Sequence, residues 1–365
     1  MSNKEIIAII GAGAIGRGFL PWKINTEKYD FIFVDINPNI VDAMNKNGGF
    51  LTFKSHGSKL EEKFIHSSRA CLISEFKAAD YKNLSAIFVA VGPNNVKMIA
   101  DAVKDASCSI VLCENDPATV EILKAETGND RIYFAVPDVI ASNTASSENL
   151  LRDPLAIHTE DGILFIDERA EWLDGDIEYI SADELLNKEW KAKLFLHNTP
   201  HCIAAYLGAM NGLKYLHEVM ERPELCKIVV GSMNEMLDAL KSENENDHSF
   251  LEWYAVKEIE RFSDNLLCDP ISRVAREPYR KLQPDGRLLG AAALCESSGI
   301  DCENILIGIA GAAVYAYNLE FTDSTVRSVS NEQKITHVFS KIGLDNSKIN
   351  DKILSKLDFL TSGFD

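Results

Sequence analysis

The 365 residues contain no stretch of about 18 consecutive apolar side chains, the length a helix needs to cross a bilayer, so no membrane span is expected. They contain no HExxH, and the eight histidines are scattered, so no metal centre is expected. The eight cysteines, at 71, 108, 113, 202, 226, 268, 295 and 302, form no CxxC pair. Reduced thiols in a cytoplasmic protein are the expectation. Only five apolar residues run up to Gly11, too few for the core of a secretory signal. Basic residues are also short, with 37 Lys and Arg against 55 Asp and Glu and a formal charge of −18. Such a surface repels nucleic-acid phosphates and anionic membranes, so neither is an expected partner. Repeats and low-complexity tracts are absent.

Hydrophobic residues make up 46% and charged residues 25%, an ordinary balance for a globular chain. At roughly 150 residues per domain, two or three domains are expected. In the first half, short apolar runs at 6–10, 31–34, 86–91 and 110–113 suit strands buried on both faces of a parallel sheet, and two further runs, 132–136 and 163–166, are candidates to extend it. Helical patterns lie between them at 15–28, 39–46, 94–104 and 117–127. This alternation predicts a Rossmann-type, doubly wound α/β sheet, with 168–180 irregular or edge-like. Beyond about residue 181 nearly every apolar run has helical spacing, as in Leu225/Ile228/Val229/Met233/Met236/Leu237 and Ile305/Ile307/Ile309/Ala312/Val314/Tyr317. The polar segment 241–248 reads as a loop. The expected domains are a nucleotide-binding domain at 1–185 and a mostly α-helical substrate domain at 186–365.

Gly11-Ala12-Gly13-Ala14-Ile15-Gly16 follows the first strand and opens the first helix. Gly11 permits the tight turn, Gly13 lets backbone approach a pyrophosphate, and Gly16 lets helix and strand pack closely. The helix start, at Ala14 and Ile15, offers free N–H groups to phosphate. Asp35 ends the second strand 19 residues after Gly16, the distance of a ribose-binding carboxylate. It would repel a 2′-phosphate, and Ile36, Asn37 and Pro38 include no cation to receive one, so NAD is favoured over NADP. Arg17 is read either as a pyrophosphate contact or as a surface residue of the first turn.

Two further segments carry chemistry. Cys113-Glu114-Asn115 lies at the carboxyl end of a strand, the edge where open α/β sheets bind ligands. Lys193-Leu-Phe-Leu-His197-Asn198-Thr-Pro200-His201 opens the helical half. On an ideal helix at 100° per residue, Lys193, His197 and His201 share a face while Asn198 stands apart. Pro200 predicts a kink, with Thr199 capping a restarted helix. Residues 273–287 hold five cations, Arg273, Arg276, Arg280, Lys281 and Arg287, read either as a solvated run paired with Glu277 and Asp285 or as an anion clamp.

Lys193, Asn198 and His201, spaced Lys-x4-Asn-x2-His, resemble the signature of the polyol-specific long-chain dehydrogenases. Ala204–Gly208, the glycine loop, Ala90–Pro93, Cys113–Asn115 and Arg280–Leu282 resemble the branch acting on phosphorylated polyols. The likeness runs from about residue 6 to about 315. It implies an NAD-dependent oxidoreductase interconverting a polyol phosphate and a ketose phosphate, such as mannitol 1-phosphate and fructose 6-phosphate. Lys193 is then the general acid/base, Asn115 and Asn198 hold the developing alkoxide, and His201 orients substrate or base. A free lysine, at pKa about 10.4, is a poor base at neutral pH, so its surroundings must depress it. The resemblance adds Val91 and Gly92 to the cofactor residues and places Asp138, Arg273 and Lys281 near substrate. Arg276, Arg280 and Arg287 are the phosphate candidates, with Arg280 first. Val139 stands where the family has arginine, and His197 where it often has an apolar residue, read as a satisfied helix histidine or an added influence on Lys193. The open alternatives are a pentitol-phosphate dehydrogenase, an unphosphorylated polyol 2-dehydrogenase, a ketohexuronate reductase, and a non-catalytic NAD(H)-binding sensor. Monomer and homodimer both remain open.

Overall fold

The structure, a computed structural model, describes residues 4–56, 59–243, 247–284, 286–321, 329–344 and 348–354. Residues 244–246 of the polar segment, and Asp285, lie outside the described residues. The chain divides into two compact units, Met1–Trp190 with Leu266–Cys268, and Lys191–Asn265 with Asp269–Asp365. The break at Trp190 comes five residues later than the expected 185, and three residues of the helical half belong with the first unit.

The first unit is built on one sheet of ten strands: β1 (Glu5–Ile10), β2 (Tyr29–Asp35), β3 (Gly49–His56), β4 (Lys59–Leu72), β5 (Leu84–Val89), β6 (Ser109–Leu112), β7 (Ile132–Asp138), β8 (Ile157–Glu160), β9 (Ile163–Asp167) and β10 (Glu178–Ile180). Their order is β10-β9-β7-β6-β5-β1-β2-β4-β3-β8. The six strands from β4 to β7 in this order are mutually parallel, the doubly wound arrangement. Both faces of β7, β6, β5, β1 and β2 are covered, which explains their unbroken apolar runs. Ile7, Ile9, Phe31, Phe33 and Phe88 enter one core cluster, while Ala8, Ile10, Ile32, Val34, Ile87 and Val89 enter the other. Successive side chains of a strand point to opposite faces, so alternate residues feed the two cores.

Two features depart from the expectation. The antiparallel hairpin of β3 and β4 carries no apolar run, because most of β4 is exposed. The first helix is a π-helical turn, Ala14–Phe19, followed by Leu20–Lys23, and ends before Lys28 because Ile24 bridges to Gly175.

The second unit is helical in its described residues. At its centre Thr199–Met210 has ten of its twelve residues buried. It packs against Pro223–Lys241 and Glu303–Glu320. A Cβ on Gly308 would sit 2.3 Å from Ile203, so glycine is what lets these two helices approach. Buried Glu235 accepts hydrogen bonds from the amides of Asn304 (2.8 Å) and Ile305 (2.9 Å), satisfying the first turn of Glu303–Glu320 from a neighbouring helix.

Candidate active site

The glycine loop of the first unit is shaped by close approaches. Gly11 has φ +98°, and a Cβ there would meet the Ala90 carbonyl oxygen at 2.3 Å. A Cβ on Gly16 would lie 2.0 Å from the Gly11 oxygen, whereas one on Gly13 would meet nothing within 4 Å. The loop is thus packed tightly beneath and open above Gly13, where a pyrophosphate needs backbone access. Asp35 Oδ2 accepts the Ala12 amide and Oδ1 the Asn37 amide, both at 2.8 Å. A carboxylate offers about four lone-pair sites, so capacity remains for the hydroxyls of a ribose. These residues fit a dinucleotide. Arg17 does not point outward. It is buried, its Nε donates to the Ala12 oxygen at 2.8 Å, and Nη1 donates to the Leu155 oxygen. Burial lowers its pKa to about 10, with Asp153 and Asp35 pulling it back up. Arg17 braces the underside of the loop.

Val91 and Gly92 follow β5, and their amides donate to the Glu114 carboxylate at 2.8 and 3.1 Å. Sequence reasoning singled out Asn115 and passed over Glu114, the buried residue that fixes this loop. Asn115 itself is exposed, beyond the end of β6. Asp138 is buried at the end of β7. Val139 packs in the hydrophobic core, where Gly162 comes so close that a Cβ would lie 2.6 Å from its side chain.

The signature of the second unit lies on a π-helical turn, Lys193–Asn198, that runs straight into Thr199–Met210. The expected Thr199 cap does not form, because Thr199 has helical dihedrals, φ −68° and ψ −61°. Pro200 cannot donate, and the widened turn absorbs that loss. The Thr199 hydroxyl instead donates to the carbonyls of Leu194 (3.2 Å) and Arg287 (2.6 Å). An i→i+5 turn brings Lys193 and Asn198 toward a common face, which 100° per residue does not.

Lys193, His197, Asn198 and His201 are all buried. His197 Nδ1 bonds the carboxylate of fully buried Glu258, which also takes Arg261 and, at 3.5 Å, Lys257. His197 is therefore a satisfied histidine. Its ring lies 4.8 Å from that of His201. His201 Nε2 lies 3.0 Å from Asp269 Oδ2, and its ring stacks on Phe262. Burial pushes the His201 imidazole down to about 4. Burial would also raise the Asp269 carboxyl, but Arg273 and His201 hold it below its ordinary value. Glu258 and Asp269 were both missed from sequence, since each stands more than 60 residues from the histidine it serves.

The five cations of 273–287 separate by environment. Arg273 is committed to Asp269 through Nε (2.9 Å) and Nη2 (2.6 Å). Arg276 is exposed and bonds the Arg273 carbonyl. Arg280 pairs with Glu277 at 2.9 Å. Lys281 and Arg287 are buried and form no ion pair with any described residue. The Lys281 ammonium donates to the Val274 carbonyl and lies 5.5 Å from the Tyr206 ring, and burial lowers it to about 7. Arg287 Nη1 donates to Asn198 Oδ1 at 3.2 Å. Close by, the Asn198 Nδ2 and Tyr206 hydroxyl atoms are buried without a hydrogen-bond partner. Glu277, directly before the turn holding Lys281, and Cys268, directly before Asp269, are the two described non-glycine residues with positive φ, 54° and 47°. Among the described residues no group of three or more His, Cys, Asp or Glu is placed to hold a metal.

Comparison with known proteins gives one answer. Residues 5–132 match the mannitol dehydrogenase Rossmann domain and residues 188–358 the mannitol dehydrogenase C-terminal domain. The chain is 30% identical to a mannitol-1-phosphate 5-dehydrogenase of Thermoanaerobacter pseudethanolicus, over 97% of each chain. It is 29% identical to one of Clostridium acetobutylicum, over 91% of this chain and 92% of that one. Among solved structures, Pseudomonas fluorescens mannitol 2-dehydrogenase, in a ternary complex with NAD and D-mannitol, superposes with a TM-score of 0.72 at 14% identity, covering 99% of this chain and 95% of that one. The chain belongs to the mannitol dehydrogenase family.

Proposed function

We propose that this protein interconverts a polyol phosphate and a ketose phosphate, mannitol 1-phosphate and fructose 6-phosphate being the pair its relatives suggest. The coarser chemistry, NAD-dependent oxidation of a CH–OH group, goes with the family. The phosphate is supported by one observation above the others: Lys281 and Arg287 are buried cations that form no ion pair with a described carboxylate, beside two unpartnered polar atoms on Asn198 and Tyr206. A buried charge without a partner is costly, and a bound anion with several acceptor oxygens offsets that cost. A neutral sugar hydroxyl does so poorly.

NAD, held on the Gly11–Gly16 loop with its ribose at Asp35, supplies the hydride acceptor when bound. In oxidation Lys193 Nζ takes the hydroxyl proton, and in reduction it returns one. Asn198 Nδ2 donates to the oxygen on which negative charge develops. Arg287 grips the other end of that amide, so the donor is oriented before the reaction begins. Asn115 is assigned a second donor. His201, neutral, orients a substrate hydroxyl.

The test is steady-state NADH oxidation with fructose 6-phosphate and with free fructose, on the wild type and on Lys193→Ala. The expected result is a kcat/KM at least about 10²-fold higher for the phosphorylated ketose, from charge-assisted bonds worth about 1.5–3 kcal/mol each. Lys193→Ala should lose nearly all turnover while still binding NADH. Equal rates on free fructose would refute the phosphate assignment.

A further inference from the structure

Asp269 lies in the second unit between two residues already named, His201 and Arg273, and its carboxylate divides its oxygens between them. Oδ2 meets His201 Nε2 at 3.0 Å, and Oδ1 takes both Arg273 Nε and Nη2. We propose that Asp269 is a positioning residue for the reaction. It fixes His201 as the Nε2–H tautomer, leaving Nδ1 as an acceptor, and it sets the Arg273 guanidinium with the same carboxylate. This rests on the reading above, in which His201 meets a substrate hydroxyl.

An ionised carboxylate accepts hydrogen bonds and cannot donate, so the proton between the pair belongs to Nε2. In a neutral imidazole the other nitrogen then carries only a lone pair. His201 Nδ1 makes no hydrogen bond to any described residue. The ring is held against turning by Phe262, stacked at 5.2 Å and 11°. Asp269 is itself anchored. It is buried, and its carbonyl accepts the Leu216 amide at 3.0 Å. Cys268 before it has φ +47°, and Pro270 after it restricts the backbone further. Non-glycine positive φ persists where the surroundings over-determine the chain, as they do around a group that must be held in place.

A division of labour follows. His201 presents an acceptor, so it can receive a hydrogen bond from a substrate O–H but cannot stabilise an alkoxide or polarise a ketone. That task falls to donors, and Asn198 Nδ2, three residues before His201, is buried with no partner among the described residues. In Asp269→Asn, the amide oxygen is claimed by Arg273, which has two donors there, and the amide nitrogen then faces His201. The histidine must accept on Nε2 and carry its proton on Nδ1, the wrong form.

The experiment uses the full-length protein labelled with ¹⁵N in histidine. Two-bond ¹H–¹⁵N spectra report the tautomer, with His201→Asn identifying the resonances. The wild type should show Nε2–H and Asp269→Asn should show Nδ1–H. The variant should lose at least about 10²-fold in kcat, a tautomer error having cost a serine protease about 10⁴. Its NADH Kd should stay within about twofold, and Asp269→Glu should recover part of both signals. A purely structural role would not invert the tautomer. An Nδ1–H tautomer in the wild type overturns the proposal even if Asp269→Asn fails to fold, as does kcat within about threefold of wild type in a folded Asp269→Asn. Lys193→Ala is run alongside. Its retention of turnover would strike the underlying reading, whereas its loss combined with an active Asp269→Asn strikes this proposal alone.

Discussion

Arg17 in the first unit and Arg287 in the second are both buried guanidiniums, and they are treated in opposite ways. Arg17 spends its N–H groups on two backbone carbonyls, Ala12 and Leu155, and feels Asp153 and Asp35 through space. Arg287 donates to one side-chain amide oxygen, that of Asn198, and has buried Lys281 for company. The first arrangement places two donors on backbone carbonyls and serves to hold a loop. The second leaves positive charge and donor capacity unspent, which a folded chain tolerates only where something else supplies the acceptors. Burial of an arginine therefore says little until its partners are counted.

The sharpest way to break the comparison is to replace each with methionine, close in volume and without charge. Arg287→Met should cut kcat/KM on fructose 6-phosphate by about 10³-fold, since losing one member of a buried charge-assisted contact costs about 2–5 kcal/mol. Its melting temperature should hold or rise. Arg17→Met should do the reverse, losing about 2–4 kcal/mol of stability because two buried carbonyls lose their donor. Its phosphate selectivity, measured as the ratio of kcat/KM for fructose 6-phosphate to that for fructose, should be preserved. Differential scanning calorimetry and the same steady-state assay read both arms. A destabilised Arg287→Met with unchanged selectivity would show that the second arginine, too, is only structural.

Lys281 extends the contrast to pH. Burial takes it from the ordinary 10.5 to about 7, so between those values the unfolded chain binds more protons than the folded one. Stability from this group therefore rises with pH across about 7 to 10.5, and the penalty for burying the charge is present in full below 7. Lys281→Met should remove the penalty, gaining about 1–3 kcal/mol at pH 7 in urea unfolding and flattening that rise. The same ionisation governs the ligand. KM for the phosphorylated ketose should increase above pH 7 as the ammonium is lost, while the Kd for NADH stays level. A wild-type KM that is flat from pH 6.5 to 9 would remove Lys281 from the anion site.

How much of this could be read from residues in order depends on how local each feature is. The dinucleotide site is written in one short stretch, and Gly11, Gly13, Gly16 and Asp35 needed only a strand before and after them. The parallel strands β7, β6, β5, β1 and β2 were visible because both of their faces are covered, whereas β4 and its hairpin with β3 were not, since β4 is largely exposed and alternates nothing. The second unit is assembled from distant parts. Lys193, Asn198 and His201 lie together in sequence, but Asp269 is 68 residues from His201 and Arg287 is 89 from Asn198. No periodicity reports such pairings. The π turn was also out of reach, because the proline that signals trouble does not say whether the helix will kink or widen.

Arg280 gives the mildest test, and it separates what a basic run suggests from what its surroundings permit. By count and position it was the first phosphate candidate. In the structure its side chain is 30% exposed and its Nε and Nη2 both go to Glu277 Oε2, at 3.2 and 2.9 Å. An exposed pair three residues apart is worth only about 0.2–1 kcal/mol, and its charge is already answered. Arg280→Ala should therefore change kcat/KM on fructose 6-phosphate by less than about threefold, against about 10³ for Arg287→Met. One effect should survive. Arg280 is among the charges that push the Lys281 ammonium down, after burial and Arg287, while Glu277 pulls it up. Removing the arginine and freeing that carboxylate both favour the protonated lysine, so the pH at which KM begins to climb should move upward. A large loss of phosphate selectivity in Arg280→Ala, with no such shift, would transfer the anion site from the buried pair to the exposed one.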